Sequence, residues 1–287
     1  TSSCPRCRRF LGFAPREFCH RWLFWGHSMS IAVLPPPMAF GVDPTRKERF
    51  SLRQSRYFAI AEDVSRLAGE ARQNGQKLEV LDVGVNWGVS RRYLEAQPNG
   101  DVLRFSGADL KLRERIHRQN DWRDLFEGNL MEGYPQIAGG AYDVVICEQV
   151  LEHLPHLDVA IATLGRVLKP GGTLFLGVPI FPPGIQLIRK YVVPAVDRMN
   201  PWAKTRGHVQ AFTRGSMMNL ITRYAGLEIV ETRGFRMVSG GMLRSLENQE
   251  WWYRFNRRLG AAVPGLCTEI QIVARKPLNA DVSAAAA

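Results

Sequence analysis

The run Val80-Leu81-Asp82-Val83-Gly84-Val85-Asn86-Trp87-Gly88 joins an apolar, β-branched stretch to a glycine-containing turn. In a parallel sheet, the turn that leaves a strand's carboxyl end lies at the edge where ligands bind. Gly84 lets backbone approach a ligand closely, and Gly88 lets the next helix pack tightly beneath it. Asn86 belongs to the few non-glycine residue types that tolerate positive φ. Twenty-one residues beyond Gly88, Asp109 ends a second apolar run, Phe105-Ser106-Gly107-Ala108-Asp109-Leu110. A carboxylate there is placed to accept hydrogen bonds from both hydroxyls of a ribose. Turn and acid together are the chemistry of a nucleoside-bearing cofactor. The dinucleotide fingerprint of a Rossmann dehydrogenase would need glycines at 86 and 89, where Asn86 and Val89 stand.

The elements that must position these groups follow from periodicity. Tyr57, Ile60, Ala61, Val64, Leu67, Ala68 and Ala71 recur at three- and four-residue steps, which predicts a helix ending near Gly75. Residues 77–83 then read as a strand, 91–96 as a helix, 102–108 as a second strand and 110–120 as mixed helix and loop. Tyr142 to Cys147 is a short β-branched run, the mark of a strand buried on both faces. Leu157, Ile161, Leu164 and Leu168 give a helix stopped by Pro170-Gly171-Gly172, and residues 173–178 give another buried strand. After an insert at 181–208 come a helix on Met217, Leu220, Ile221 and Tyr224, capped by Gly226, and a strand over 228–232. A second insert, 236–266, precedes a last strand at 268–274. Strands and helices in alternation predict βαβ units and a parallel sheet.

Length and composition bound the classes. The 287 residues are 45% hydrophobic and 23% charged, which suits a globular chain able to bury a full core. No run reaches about 18 uninterrupted apolar residues, so no membrane-spanning helix or clean secretory signal is expected, and the default compartment is the cytoplasm. Of the net charge of +11, the first fifty residues hold eight Lys/Arg against three Asp/Glu. That segment carries Cys4, Cys7, Cys19, His20 and His27, a ragged set for zinc, and Met29 and Met38 each offer an internal start. It reads as a disordered or partly non-native leader, and no metal site is assigned. Residues 51–276 form the domain, and 277–287 read as a disordered tail. Cys147 and Cys267 sit in apolar runs as small hydrophobes.

Several motifs in order resemble the class I S-adenosylmethionine-dependent methyltransferases, over roughly residues 55–275. Asp82-Val83-Gly84-Val85-Asn86-Trp87-Gly88 is similar to that family's D-x-G-x-G-x-G motif, with Asn86 for the middle glycine. Asp109, followed by Leu110, matches its ribose-binding acid. Glu127-Gly128-Asn129-Leu130 resembles the segment before the adenine contact, with Asn129 for aspartate and its side-chain oxygen still able to meet the adenine amino group. Tyr142 to Leu154 resembles the fourth-strand motif, and Leu168-Lys169-Pro170-Gly171-Gly172-Thr173-Leu174 the tight turn before strand five. The resemblance implies a Rossmann-like α/β fold: a seven-stranded, mostly parallel sheet with helices on both faces and the last strand antiparallel. It implies S-adenosyl-L-methionine as cofactor, bound by Asp82, Gly84, Val85, Asn86, Gly88, Asp109, Leu110, Asn129, Leu130 and Glu148. Glu148 either lines that site or hydrogen-bonds a loop.

A sulfonium methyl is already activated, so proximity supplies most of the acceleration and a base is needed only where the acceptor must lose a proton. His153 and His208 are the candidates, since histidine titrates near neutrality; no catalytic residue is assigned. His153 reads as a helix residue with a packing role, and His208 as a residue of the rim where an acceptor enters. The inserts shape the acceptor pocket. The aromatic and basic run Trp251-Trp252-Tyr253-Arg254-Phe255, with Arg257 and Arg258, suits a medium-sized, partly apolar acceptor such as a glycan or lipid-linked intermediate, contact with a membrane surface, or a packed lid. Methyl transfer to oxygen or nitrogen of such an acceptor is the leading reading. Transfer to RNA, suggested by the basic leader, and a catalytically silent cofactor-binding module, suggested by Asn86, stand beside it. The absence of an N-P-P-[YF] motif speaks against base amino methylation. Oligomeric state is open.

Overall fold

The computed structural model describes residues 51–180, 210–237, 239 and 241–279. The leader up to residue 50 with its cysteines and histidines, the insert 181–208 with His208, and the tail from residue 280 lie outside the described residues.

Seven strands form one sheet: β1 (Leu78–Val83), β2 (Leu103–Asp109), β3 (Asp124–Glu127), β4 (Tyr142–Glu148), β5 (Leu168–Pro179), β6 (Glu228–Phe235) and β7 (Glu269–Arg275). Their spatial order is β3-β2-β1-β4-β5-β7-β6. β7 runs antiparallel to both β5 and β6, and the other described pairings are parallel. From β1 the chain winds outward through β2 to β3, then returns to β4 on the other side of β1. That reversal places a topological switch point between β1 and β4.

Period-two alternation sends each strand's side chains to two separate cores. Val80, Val144, Ile146, Phe175 and Val273 face one side, where α1 (Ser55–Gln73) and α2 (Val89–Glu95) cover them with Ile60, Ala61, Val64, Ala68, Tyr93 and Leu94. Leu81, Val83, Val145, Cys147, Leu174 and Leu176 face the other, covered by Ile161, Leu164 and Val167 of α3 (Asp158–Val167) and Met217 of α4 (Arg214–Leu220). Each Val, Leu or Ile so enclosed contributes about 1.5–3 kcal/mol of transfer free energy. This is why the central strands read as continuous apolar runs. Helix α4 opens on a capping box between Thr213 and Ser216, runs on as a π-helical turn over Ile221–Ala225, and ends at Gly226 in the left-handed region.

The differences from the sequence reading are local. Residues 110–120 hold no helix beyond a single 3-10 turn that begins at Gln119, and β3 follows where no strand was expected. Four residues are too few for a visible alternation. β5 begins at Leu168, ahead of Pro170, because Leu168 already pairs with Tyr142 before a register irregularity. The second insert contains a 3-10 segment (Gly241–Asn248) and helix α5 (Glu250–Ala262). Among the described residues, no helix is long and apolar enough to cross a membrane.

Candidate functional site

The turn after β1 leaves the sheet in left-handed backbone three times: Gly84 at φ 79°, Asn86 at 47° and Gly88 at 71°. The asparagine adopts at 86 the conformation that the family motif otherwise gives to glycine, at a cost its side chain type keeps small. Ala108 O accepts from the amides of Gly84 (2.7 Å) and Val85 (3.2 Å), and Asp109 Oδ2 accepts from the Asn86 amide at 2.9 Å. A Cβ at position 84 would collide with Cγ2 of Val150 from the turn after β4. The turns after β1 and β4 and the end of β2 therefore touch at one point, the switch point.

Asp82 is not at that surface. Its carboxyl is buried on β1 and hydrogen-bonded by Ser90 of α2; burial, with Asp109 nearby, pushes its pKa up to about 7. It ties strand to helix. Leu110, directly after the acid, is largely exposed. Asn129 caps the short turn Leu130–Glu132: its Oδ1 accepts from the Met131 amide at 3.0 Å, and its Nδ2 donates to Glu132 Oε1. The side-chain oxygen expected to meet an adenine is thus already engaged by backbone, and Leu130 is buried in the core.

On the other side of β1, the carboxyl end of β4 leads into a polar cluster. Glu148 is buried; its Oε1 accepts from Gln271 Nε2 at 2.6 Å, and its Oε2 lies 3.1 Å from Arg56 Nε. Arg56, from the first turn of α1, also pairs with Glu269 at 3.2 Å, and Glu269 with Arg236 at 2.6 Å. Gly177 makes room for this carboxylate, since a Cβ there would strike Glu148 Oε2. Burial first, then Glu269 and Glu152, push the Glu148 pKa up to about 8 against the pull of Arg56 and Gln271. The Glu148 side chain thus meets α1 and β7.

Gln149, the next residue, has φ 58° and donates its amide to Gly177 O at 2.8 Å. His153 is not a packed helix residue. It ends a single 3-10 turn, Leu151–His153, with its side chain about half exposed and its Nε2 3.9 Å from Glu152 Oε1. The chain re-entering from the first insert closes on the same edge: Gln210 donates its amide to Glu152 O, and Phe212 pairs with Ile180 just beyond β5. The aromatic run splits on α5. Trp252 is 9% exposed, whereas Trp251 is 58% and Phe255 44% exposed. Gln149 and Glu152 were not singled out from sequence, because nothing in a lone Gln or Glu announces burial. Among the described residues no group of three or more His, Cys, Asp or Glu could hold a metal ion. A separate crevice of about 480 Å³ opens at the amino end of β2, lined by Arg104, Arg118 and Arg123, which pair with Glu79, Glu95, Asp121 and Asp124.

The donor side fits a nucleoside-bearing sulfonium: a backbone cradle without a side chain at 84, and an acid 2.9 Å from that cradle's amide. Comparisons with known proteins agree. A methyltransferase-domain family model matches residues 52–232. The ubiquinone biosynthesis O-methyltransferase of Leptothrix cholodnii is 32% identical over 165 residues, 55% of this chain and 67% of that protein. The protein of the same description from Pseudomonas aeruginosa is 27% identical over 162 residues, 54% and 67% of the two chains. A solved methyltransferase structure from Galdieria sulphuraria shares the fold at 16% identity, with a TM-score of 0.51 over 79% of this chain and 86% of that one. With the switch-point cradle and a family match over more than half its length, this chain belongs to the class I S-adenosylmethionine-dependent methyltransferases, enzymes that use S-adenosyl-L-methionine as methyl donor.

Proposed function

We propose that this enzyme transfers the methyl group to an oxygen of a medium-sized, partly apolar small molecule. The observation that carries this reading is the division of one sheet edge. The cradle of Gly84, Asn86 and Asp109 lies on one side of β1, and the turn after β4, the end of β5 and the re-entering Gln210–Phe212 segment lie on the other. The relatives described as O-methyltransferases support oxygen over nitrogen.

In this reading the backbone of Gly84, Val85, Asn86 and Gly88 cradles the donor's amino-acid part, and the free lone pairs of Asp109 take its ribose hydroxyls. Leu110 offers an apolar contact to the adenine, with the Asn129–Leu130 backbone beside it. Asp82 holds the cradle through Ser90 rather than touching the donor, and Glu148 braces the acceptor side through Arg56. The bound donor supplies an activated methyl group; the chain supplies proximity, orientation and exclusion of water. Several basic side chains on the described surface, Arg72, Arg104 and Arg118 among them, are paired with acids, which lowers the free positive charge they offer a nucleic acid.

The test is tritiated methyl transfer from labelled donor into separated small-molecule, lipid-linked glycan and RNA pools. Label in an alkali-stable methyl ether of the first two pools supports the reading, and label in RNA alone overturns it.

A further inference from the structure

The turn after β4 holds two polar atoms with no hydrogen-bond partner. Gln149 Nε2 and Glu152 Oε2 are both buried and unsatisfied, and Glu152 is 1% exposed. A buried polar group left without a partner is destabilising, so it calls for a reason. Gln149 adds strain, because a non-glycine residue at φ 58° is held in a sparsely populated region. Two such features within four residues mark a place shaped for a ligand. The topology says which ligand. β4 stands between β1, whose turn forms the donor cradle, and β5, from which the first insert departs. Val150, between the two orphans, packs against Gly84.

We propose that Glu152 and Gln149 receive the acceptor hydroxyl, with Glu152 Oε2 as the catalytic base and Gln149 Nε2 as the donor that orients the reacting oxygen. This rests on the O-methyl transfer reading above. The chemistry balances without a further reactant. The acceptor oxygen forms its bond to the methyl carbon, the carbon–sulfur bond breaks with its electron pair left on sulfur, and the hydroxyl proton passes to Glu152 Oε2. A hydroxyl both gives a hydrogen bond to a carboxylate and accepts one from an amide. A carboxylate acceptor would meet Glu152 as a like charge, so the site selects hydroxyl over carboxylate oxygen.

The surroundings suit a base. Burial raises the Glu152 pKa, Glu269 of β7 adds to this, and His153 on its own turn and Arg56 of α1 oppose it. Cys147 and Glu148 of β4 lie within electrostatic reach. A base brought toward the working pH is better matched to take a proton. His153, half exposed, sits beside this carboxyl with its Nε2 3.9 Å from Glu152 Oε1.

The experiment uses the full chain and the labelled hydroxyl compound isolated in the transfer assay above. Glu152→Gln should lower kcat about 100-fold or more, within the range of general-base loss. Acceptor KM and the Kd for S-adenosylmethionine should stay within about twofold, and the alkaline rise in the wild-type pH–rate profile should vanish. Gln149→Leu should raise acceptor KM about tenfold, as for one lost hydrogen bond, with donor Kd unchanged. A Glu152→Gln enzyme within threefold of wild-type kcat overturns the proposal. If Glu152→Gln fails to fold, an unchanged acceptor KM in Gln149→Leu overturns it alone. If the wild type labels no hydroxyl compound, the O-methyl reading fails and takes this proposal with it. Label on oxygen with intact variants sinks only the proposal.

Discussion

The Asn86 amide donates to Asp109 Oδ2 at 2.9 Å, which makes the turn after β1 and the acid ending β2 a single unit. The same carboxylate that would hold a ribose also fixes the peptide in left-handed backbone at φ 47°. In the proposed reading, donor binding and turn geometry are coupled through one side chain, with Asp109's remaining lone pairs left for the ligand.

Asp109→Ala removes both roles. Calorimetry should show S-adenosylmethionine and S-adenosylhomocysteine each bound roughly 10- to 100-fold more weakly, the scale of lost hydrogen bonds to a charged group. Asp109→Asn keeps an oxygen for the Asn86 amide and should lose less. Equal affinities for Asp109→Ala and wild type would remove the acid from the site.

Gly84→Ala places a Cβ against Val150 and forces an L-residue to φ 79°. The backbone term alone is about 1–2 kcal/mol, and for a domain of this size each kcal/mol lowers Tm by about 2–4 °C. Calorimetric scanning should show that loss together with weakened donor binding. Asn86→Gly, by contrast, relieves backbone strain and should leave donor affinity unchanged.

Glu148 governs a stretch of the pH–stability curve. Its folded pKa of about 8 lies above the ordinary 4.5. Between those values the folded state retains a proton that the unfolded chain has released, so stability falls as pH rises through that window. Asp82, raised to about 7, acts with the same sign from about pH 4 upward. Thermal melts from pH 5 to 9 should show a shallower decline for Glu148→Gln than for wild type. Parallel slopes would assign the decline to other groups.

Trp251 and Trp252 should separate cleanly. Trp252 is enclosed between α5 and the rest of the domain, so Trp252→Ala should cost about 3–5 kcal/mol. Trp251 is mostly solvated, and Trp251→Ala should leave Tm nearly unchanged. Urea melts of both variants check this. Equal destabilisation would mean that the pair packs as one unit.

Much of this molecule is local and was legible as such. Helix α1, strands β1, β2 and β4 and the stop at Gly226 follow from periods of 3.6 and 2 and from residues that terminate elements, all read within a short window. The turn proposed as the donor cradle was legible as backbone geometry for the same reason: Gly84, Asn86 and Gly88 are constrained by their own backbone angles, and Asp109 lies at the end of the next strand. Strand β3 was not, since Asp124–Glu127 is too short and too polar to show alternation, and β2 alone recruits it through pairing.

What the sequence determined by itself is the mostly parallel α/β architecture and the left-handed turn after β1, because both depend on patterns between near neighbours along the chain. Only the tertiary structure decided what the polar residues after β4 do. Glu148 meets Arg56 of α1 and Gln271 of β7, 92 and 123 residues away in sequence, while Glu152 Oε2 and Gln149 Nε2 are buried atoms without a hydrogen-bond partner. Burial sets whether a carboxylate is a solvated charge, an ion-pair brace or a base. It is created by the packing of strands and helices distant in the chain, which no short window of residues contains.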